Sequence, residues 1–402
     1  MLRFLTAGES HGQALVAILE GVPAGLTIDF DAVTTQLRRR QGGYGRGRRM
    51  AIESDRAQAL SGIRHGVTTG APIALLIPNK DWENWQKTMY VEPEQPADAT
   101  GTDRPNVTRP RPGHADLAGA VKYGHDDIRD VLERASARET AARVAVGAIA
   151  RQLLTLVGTE LGSHVFSIGS AALANPLAVT FDQIRALPDD SPLHCVDTEL
   201  EKRMIAQIDA AREAGDTMGG GFEVIAHNVP PGLGSYVQWD RKLDGRLAQA
   251  LMSIPAIKGV GVGMGAIVAS VPGSRVHDEI LPGHQIRPTS VGVSRPSNNA
   301  GGLEGGVTNG EDLRVSAFMK PIATLMKPLR SVDLTTMTES PAAIERSDVC
   351  AVPAAAVVGE AMVSIVLADA AIEKFGGDTV EELVRSCQAF REKTSARFKA
   401  RR

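Results

Sequence analysis

The sequence predicts an α+β fold in a single domain spanning 1–402. Three observations carry this expectation. Hydrophobic residues make up 43% of the 402-residue chain and charged residues 23%, the balance of an ordinary globular protein. Strand-like and helix-like segments mix without a regular strand–helix–strand rhythm, which disfavours a doubly wound parallel sheet. Aromatics are only 4% while glycine is abundant at 41 residues, so the core is expected to use small and aliphatic side chains with backbones in close approach.

The elements follow in order. Residues 14–20 (ALVAILE) and 71–77 (APIALLI) read as buried strands. Asp31 to Arg40 reads as a helix with Asp29 or Asp31 as N-cap. Residues 90–112 are rich in Pro, Asp, Glu and Thr, and an exposed excursion is expected over about 90–108. A long helix is expected from about Ile128 to Val157, its Ala135, Ala137, Ala141, Ala142, Ala145 and Ala148 suited to close packing. Further helices are expected near 199–214, 240–253, 353–372 and 379–393, and strands at Phe222–Ala226 and Ala266–Val271. The basic tail Arg391–Arg402 reads as a frayed end. No short-period repeat or sharp composition break divides the chain.

Composition also narrows the function. A net charge of −3 argues against a general nucleic-acid or membrane binder. Cys195, Cys350 and Cys387 lie far apart and outside any CxxC, which fits a reducing cytosol and a cytoplasmic protein. No signal peptide and no membrane span are expected. Neither paired histidines nor a Cys/His pair stands at metal-ligand spacing, so no metal is expected.

Six stretches carry chemistry. Gly8-Glu9-Ser10-His11-Gly12 packs a carboxylate, a hydroxyl and an imidazole between glycines and between two apolar segments. It reads either as a tight turn with a surface histidine or as a catalytic loop. Residues 38–49 (RRRQGGYGRGRR) hold six arginines and four glycines. So many cations in a net-acidic chain suggest a pocket for a small polyanion, with a solvated helix end or an RGG-like nucleic-acid segment as rivals. In Arg109-Pro110-Arg111-Pro112-Gly113-His114-Ala115-Asp116, Arg109 and Arg111 can point the same way, Gly113 exposes His114, and Asp116 is a candidate helix cap.

Arg134 and Arg138 share a face if the long helix is continuous; a capping box at Ser136 and Glu139 would instead leave Arg134 in the preceding loop. Asn298–Gly310 is a glycine-rich loop followed by Lys320-Pro321-Ile322-Ala323-Thr324, suited to an anion although the P-loop spacing is absent. Arg346 and Asp348 stand just before an apolar helix. Gly261–Ala266 matches GxGxxA, but β-branched residues follow it rather than a helix, so it reads as a glycine-rich strand or turn. A GxSxG nucleophile elbow is missing.

Together and in this order, the motifs resemble those of the chorismate synthase family. The match includes GESHG at 8–12, RRRQGGYGRGRRM at 38–50, SGIRHGVTTGAPIAL at 61–75 and RPRPGHAD at 109–116. It continues with ERASARETAARVA at 133–145, NNAGGLEGGVTNG at 298–310, MKPIAT at 319–324 and RSDVCAVPA at 346–354. The resemblance implies a β-α-β sandwich with internal pseudo-symmetry, assembled as a homotetramer. It implies a lyase that eliminates phosphate 1,4-anti from 5-enolpyruvylshikimate 3-phosphate to give chorismate, the last step of the shikimate pathway. Reduced FMN is required without net redox change.

Residue roles follow from the same resemblance. His11 would protonate or steady the flavin, His114 would assist the leaving phosphate, and Asp348 would help remove the C6 proton. Arg40, Arg46 and Arg138 would contact substrate or NADP. Flavin contacts would come from Arg134, Ala135, Ser136, Ala256, Gly305, Lys320, Pro321, Ile322, Ala323, Thr324 and Arg346. Ala323 replaces a hydroxyl residue common in the family, and the segment 88–108 resembles the long bacterial form. With no added flavin-reducing domain, the resemblance implies a separate reductase or another source of reduced FMN. The rival reading is an NAD(P)-dependent oxidoreductase built on Gly261–Ala266.

Overall fold

The computed structural model describes residues 1–47, 54–93, 98–188, 190–282, 291–345 and 347–397. The first half runs β1 (Arg3–Ala7), β2 (Ala14–Glu20), α1 (Phe30–Gln41), β3 (Gln58–Ala59), β4 (Ile63–Arg64), β5 (Val67–Thr68), β6 (Ile73–Pro78), α2 (Asp116–Tyr123), α3 (Arg129–Leu132) and α4 (Thr140–Leu156). Next come β7 (Glu160–Ile168), β8 (Ala171–Ala172), α5 (Phe181–Arg185), α6 (Thr198–Glu213), β9 (Gly220–His227), α7 (Leu243–Met252), β10 (Ile257–Val262) and α8 (Gly273–Val276). The chain continues through the short hairpins β11 (Leu281–Pro282) with β12 (Val293–Ser294) and β13 (Leu303–Glu304) with β14 (Val307–Thr308). Last are β15 (Leu313–Met319), β16 (Arg330–Asp333), β17 (Thr338–Pro341), α9 (Val352–Phe375) and α10 (Val380–Arg397).

Two antiparallel sheets enclose the helices. One has the order β1-β2-β6-β3, the other β10-β15-β9-β7-β8. Alternation places Leu15, Ala17 and Leu19 of β2 inward, as a half-buried strand requires. Helix α4 packs on β2 and β6, α9 packs on β7 and β9, and the two helices pack on each other. Their contact is close because it lacks a side chain: a Cβ at Gly147 would stand 2.4 Å from the Cβ of Ala361. By length and apolar composition α9 could cross a membrane, yet 89% of its most apolar window is buried inside this sandwich.

The internal pseudo-symmetry is visible residue by residue. In each half a strand pair, β1–β2 or β7–β9, is followed by a helix, a short hairpin, a third strand and a long central helix. Val22-Pro23-Ala24-Gly25-Leu26 leaves β2 as Val229-Pro230-Pro231-Gly232-Leu233 leaves β9. Thr68 of the β4–β5 hairpin donates to the Pro23 carbonyl (2.7 Å) and accepts from Leu26 N (2.9 Å). Thr308 of β13–β14 repeats this with Pro230 (2.7 Å) and Leu233 (2.8 Å). This is a duplication with a period of half a domain, too long and too diverged to register as a short-period repeat.

Several expected elements differ. The long helix from 128 to 157 is broken: α3 ends at Leu132, a 3₁₀ turn covers Ala137–Glu139, and α4 begins at Thr140. The Ser136 hydroxyl caps the 3₁₀ turn by accepting from Arg138 N, and Arg134 lies before it. Ala266–Val271 is not a strand; Gly265–Ser270 forms a 3₁₀ turn leaving β10. The tail is helical through Arg397, and Arg391 anchors it to the side-chain oxygen of Asn228 (3.0 Å) and the Val157 carbonyl (3.1 Å). Residues 98–106 are largely exposed, but Thr100 ties this excursion back through the Glu83 carbonyl at 2.7 Å.

Candidate active site

The turn between β1 and β2 presents His11 with little freedom. Its Nδ1 stands 2.8 Å from Oε2 and 2.9 Å from Oε1 of Glu133, and its backbone N–H donates to Oε2 at 2.9 Å. Trp85 stacks on the imidazole with ring centroids 3.8 Å apart. Asn79, just past β6, donates to the carbonyls of Glu9 (3.1 Å) and Gly12 (2.7 Å) and so fixes the turn. Arg134 donates to the carbonyls of Gly8 (3.0 Å) and Thr6 (2.9 Å). The break between α3 and α4 is what turns Glu133 and Arg134 toward this loop.

A second set of bonds joins this turn to buried arginines. Arg138 Nε donates to Asn79 Oδ1 (2.9 Å), and its Nη1 pairs with Asp55 at 2.6 Å. Arg40 donates to the Thr140 hydroxyl (2.8 Å) and the Ala137 carbonyl (2.9 Å), with Asp55 at 3.7 Å from its Nη1. Arg46 pairs with Asp348 at 2.5 Å, and the Gly47 N–H donates to the same carboxylate at 2.6 Å. Among the described residues, three arginines thus meet at two carboxylates. Burial, then the neighbouring Arg46 and Arg138, push Arg40 down to about 9, still charged at neutral pH. Its Nη1 is buried without a hydrogen-bond partner among the described residues. A buried guanidinium crowded by like charges suits an anion.

His114 belongs to a separate group at the start of α2. Its Nδ1 lies 2.5 Å from Asp116 Oδ1. Arg111 donates to Asp116 from its backbone N (3.0 Å) and Nε (2.8 Å), and reaches the Thr324 hydroxyl at 2.9 Å. Burial alone would raise Asp116, but the bonds from His114 and Arg111 outweigh it and hold the carboxyl well below the usual range. Asp116 does not cap α2; Ala115 occupies that position without a side-chain bond. Nor do Arg109 and Arg111 point together: Arg111 is buried and Arg109 exposed. Lys320 donates to the Gly113 carbonyl, and burial and Lys258 lower its pKa.

The remaining expected residues divide. Ala135 and Ser136 lie on the half-buried link between α3 and the 3₁₀ turn. Pro321 is exposed, and Ile322 and Ala323 are half-buried between Lys320 and Thr324. Ala256 has a left-handed backbone (φ 68°) and accepts from Lys320 N at 3.0 Å. Gly305 is at the exposed tip of β13–β14, where an added Cβ would meet only the Tyr236 Cβ, at 3.8 Å. Arg346 lies outside the described residues, as do Arg48 and Arg49. Arg39 turns away from the arginine group into the core, donating to both oxygens of Glu360 at 2.9 and 2.8 Å.

A family model described as chorismate synthase matches residues 2–372. A curated chorismate synthase from Desulforudis audaxviator is 56% identical over 396 residues, covering 98% of this chain and 99% of that protein. One from Desulforamulus reducens is 57% identical over 383 residues, 95% and 96% of the two chains. A solved crystal structure of chorismate synthase superposes with a TM-score of 0.78 at 42% identity, covering 98% of each chain. The chain belongs to the chorismate synthase family. Its members are carbon–oxygen lyases that eliminate phosphate from 5-enolpyruvylshikimate 3-phosphate. The oxidoreductase alternative loses its basis: Gly261 lies in edge strand β10, which a 3₁₀ turn follows rather than a dinucleotide-binding helix.

Four residues of this family member escaped the sequence reading: Asp55, Asn79, Trp85 and Glu133. Glu133 opens the motif ERASARET, and its signal was the carboxylate itself, obscured by the expectation of a continuous helix. Asn79 follows the six apolar residues of β6 as a polar one, a position where a side chain can serve a loop.

Proposed function

We propose that the arginine group and the two histidines carry out the 1,4-anti-elimination of phosphate that yields chorismate, with reduced FMN bound beside the substrate. The observation that carries this reading is the buried Arg40, crowded by the like charges of Arg46 and Arg138 and with an Nη1 that has no hydrogen-bond partner among the described residues. A substrate with two carboxylates and a phosphate relieves that crowding. The same arginines, together with Lys320 and the Thr324 hydroxyl, suit the phosphate and ring edge of FMN. When bound, reduced FMN supplies the electron that the family's chemistry lends to the substrate and recovers.

The grouping favours a division of labour opposite to the one the resemblance alone implies. The turn that carries His11 is linked through Asn79, which holds the Gly12 carbonyl, to Arg138, and so stands with the substrate-facing cations. It therefore protonates the departing phosphate oxygen. His114 stands with Thr324 through Arg111 and so steadies the flavin. Asp348, held by Arg46 and the Gly47 amide, receives the C6 proton. The assembly is a cytoplasmic homotetramer that draws reduced FMN from a separate reductase.

Anaerobic assay with dithionite-reduced FMN and the enolpyruvyl substrate tests this. Phosphate release is expected only with flavin; equal release without flavin, or none with it, overturns the reading. His11→Ala and His114→Ala should each lower turnover by roughly 10²-fold or more. Only His114→Ala should also disturb the absorbance of bound reduced flavin. The reverse pattern would restore the roles that the resemblance implies.

A further inference from the structure

We infer that Glu133 is the positioning residue for His11, fixing the proton on Nδ1 so that Nε2 is the nitrogen that works. The inference rests on the proposed elimination. Its basis is geometric. Glu133 is 1% exposed and directs both carboxylate oxygens at one ring nitrogen while also holding the backbone of the same residue. The reciprocal bond from Ser10 N to the Glu133 carbonyl, at 3.0 Å, clamps the two segments together. An ionised carboxylate can only accept, so Nδ1 must be the donor. Arg129 lies on the other side of that carboxylate, its Nη1 3.7 Å from Oε1, and its Nε and Nη1 have no hydrogen-bond partner among the described residues.

The ring has no easy alternative orientation. Trp85 covers it at 3.8 Å and 21°, and the indole is pinned by its own bond to Asp81 at 3.1 Å. In the reaction, the Nε2 proton passes to the phosphate oxygen as the C–O bond breaks and its electron pair leaves with phosphate. The ring is left neutral, with Nδ1–H still on Glu133. His114 has a similar partner in Asp116, but Arg111 shares that carboxylate through two of its side-chain nitrogens. Glu133 makes no such bond to Arg129, so its hydrogen bonding is concentrated on His11.

A double-mutant cycle separates positioning from mere support. Glu133→Gln should lower kcat by roughly 10²-fold, because an amide that donates to Nδ1 opposes the doubly protonated ring from which the Nε2 proton is given up. KM should change by less than about threefold, since the anion-binding arginines are untouched. In the His11→Ala background the same substitution should change kcat by no more than about twofold. Equal fold-losses in the two backgrounds, or a wild-type rate in Glu133→Gln, overturn the inference. If Glu133→Gln does not fold, Glu133→Asp is read in the same cycle, with a smaller loss expected. A readout on the unsubstituted chain stands beside both: in ¹⁵N-histidine-labelled protein, the ring signal lost in His11→Asn should report a proton on Nδ1, and a proton on Nε2 alone sinks the idea. Wild-type phosphate release with reduced FMN is the control; its failure would count against the elimination rather than against Glu133.

Discussion

At the scale of single residues, the site is organised by shared carboxylates. Asp55 is fully buried in its side chain and receives Arg138 at 2.6 Å, with Arg40 at 3.7 Å. Removing it leaves two buried guanidinium groups with less counter-charge, and an unpaired buried charge costs about 3–5 kcal/mol. Asp55→Ala should therefore lower the midpoint of urea unfolding, and added phosphate should restore part of the loss by occupying the vacated anion position. Unchanged stability would show that solvent already screens the pair. The arginine tract was legible as an anion pocket from its density of cations, but its division was not. Arg39 and Arg40 are adjacent on one helix and so project about 100° apart; one goes to Glu360 in the core and the other to the site. Asp116 was misread for a related reason. A carboxylate at a helix start usually caps, but here Arg111 and His114 compete for it and win.

At the scale of elements, the duplicated hairpins offer an internal control. Thr68 and Thr308 each donate to a proline carbonyl and accept from a leucine amide, with four distances between 2.7 and 2.9 Å. Both threonines are buried, at 4% and 3% exposure. Replacing either by valine keeps the shape and strands a backbone N–H and a C=O, at about 1–3 kcal/mol for each unsatisfied group. Thr68→Val and Thr308→Val should thus destabilise the chain to a similar extent, measured by thermal unfolding. A large loss at one position and none at the other would mean that the hairpins serve different ends despite their geometry. Strand β2 and helices α1 and α6 were readable from periodicity because each buries one face. The break at 133–139 was not, because its residues favour helix locally. Tertiary bonds override that preference: Glu133 is drawn to His11, and Arg138 to Asn79 and Asp55.

At the scale of the whole molecule, two sheets close over α4 and α9, and one carboxylate sits where these layers meet. The α+β class followed from the sequence, and the sandwich and its symmetry came with the resemblance. The long-range pairings, such as β2 with β6 and β9 with β15, leave no trace in local composition. Glu360 ties the layers together. It is 2% exposed on α9 and receives Arg39 of α1, Arg151 of α4 and Ser163 of β7. Burial alone would raise its pKa, but Arg39 and Arg151 outweigh that and hold it well below its ordinary value of 4.5. A depressed carboxylate contributes stability that is fully present above its unfolded pKa and is lost as pH falls through the folded one. Glu360→Gln leaves the two arginines without their counter-charge and should cost about 3–5 kcal/mol at neutral pH. The gap in melting temperature between wild type and variant should then narrow steadily as pH falls below about 4, because acid removes from the wild type the ionised group the variant already lacks. A gap that stays constant down to about pH 3 would mean that Glu360 holds the layers by shape rather than by charge.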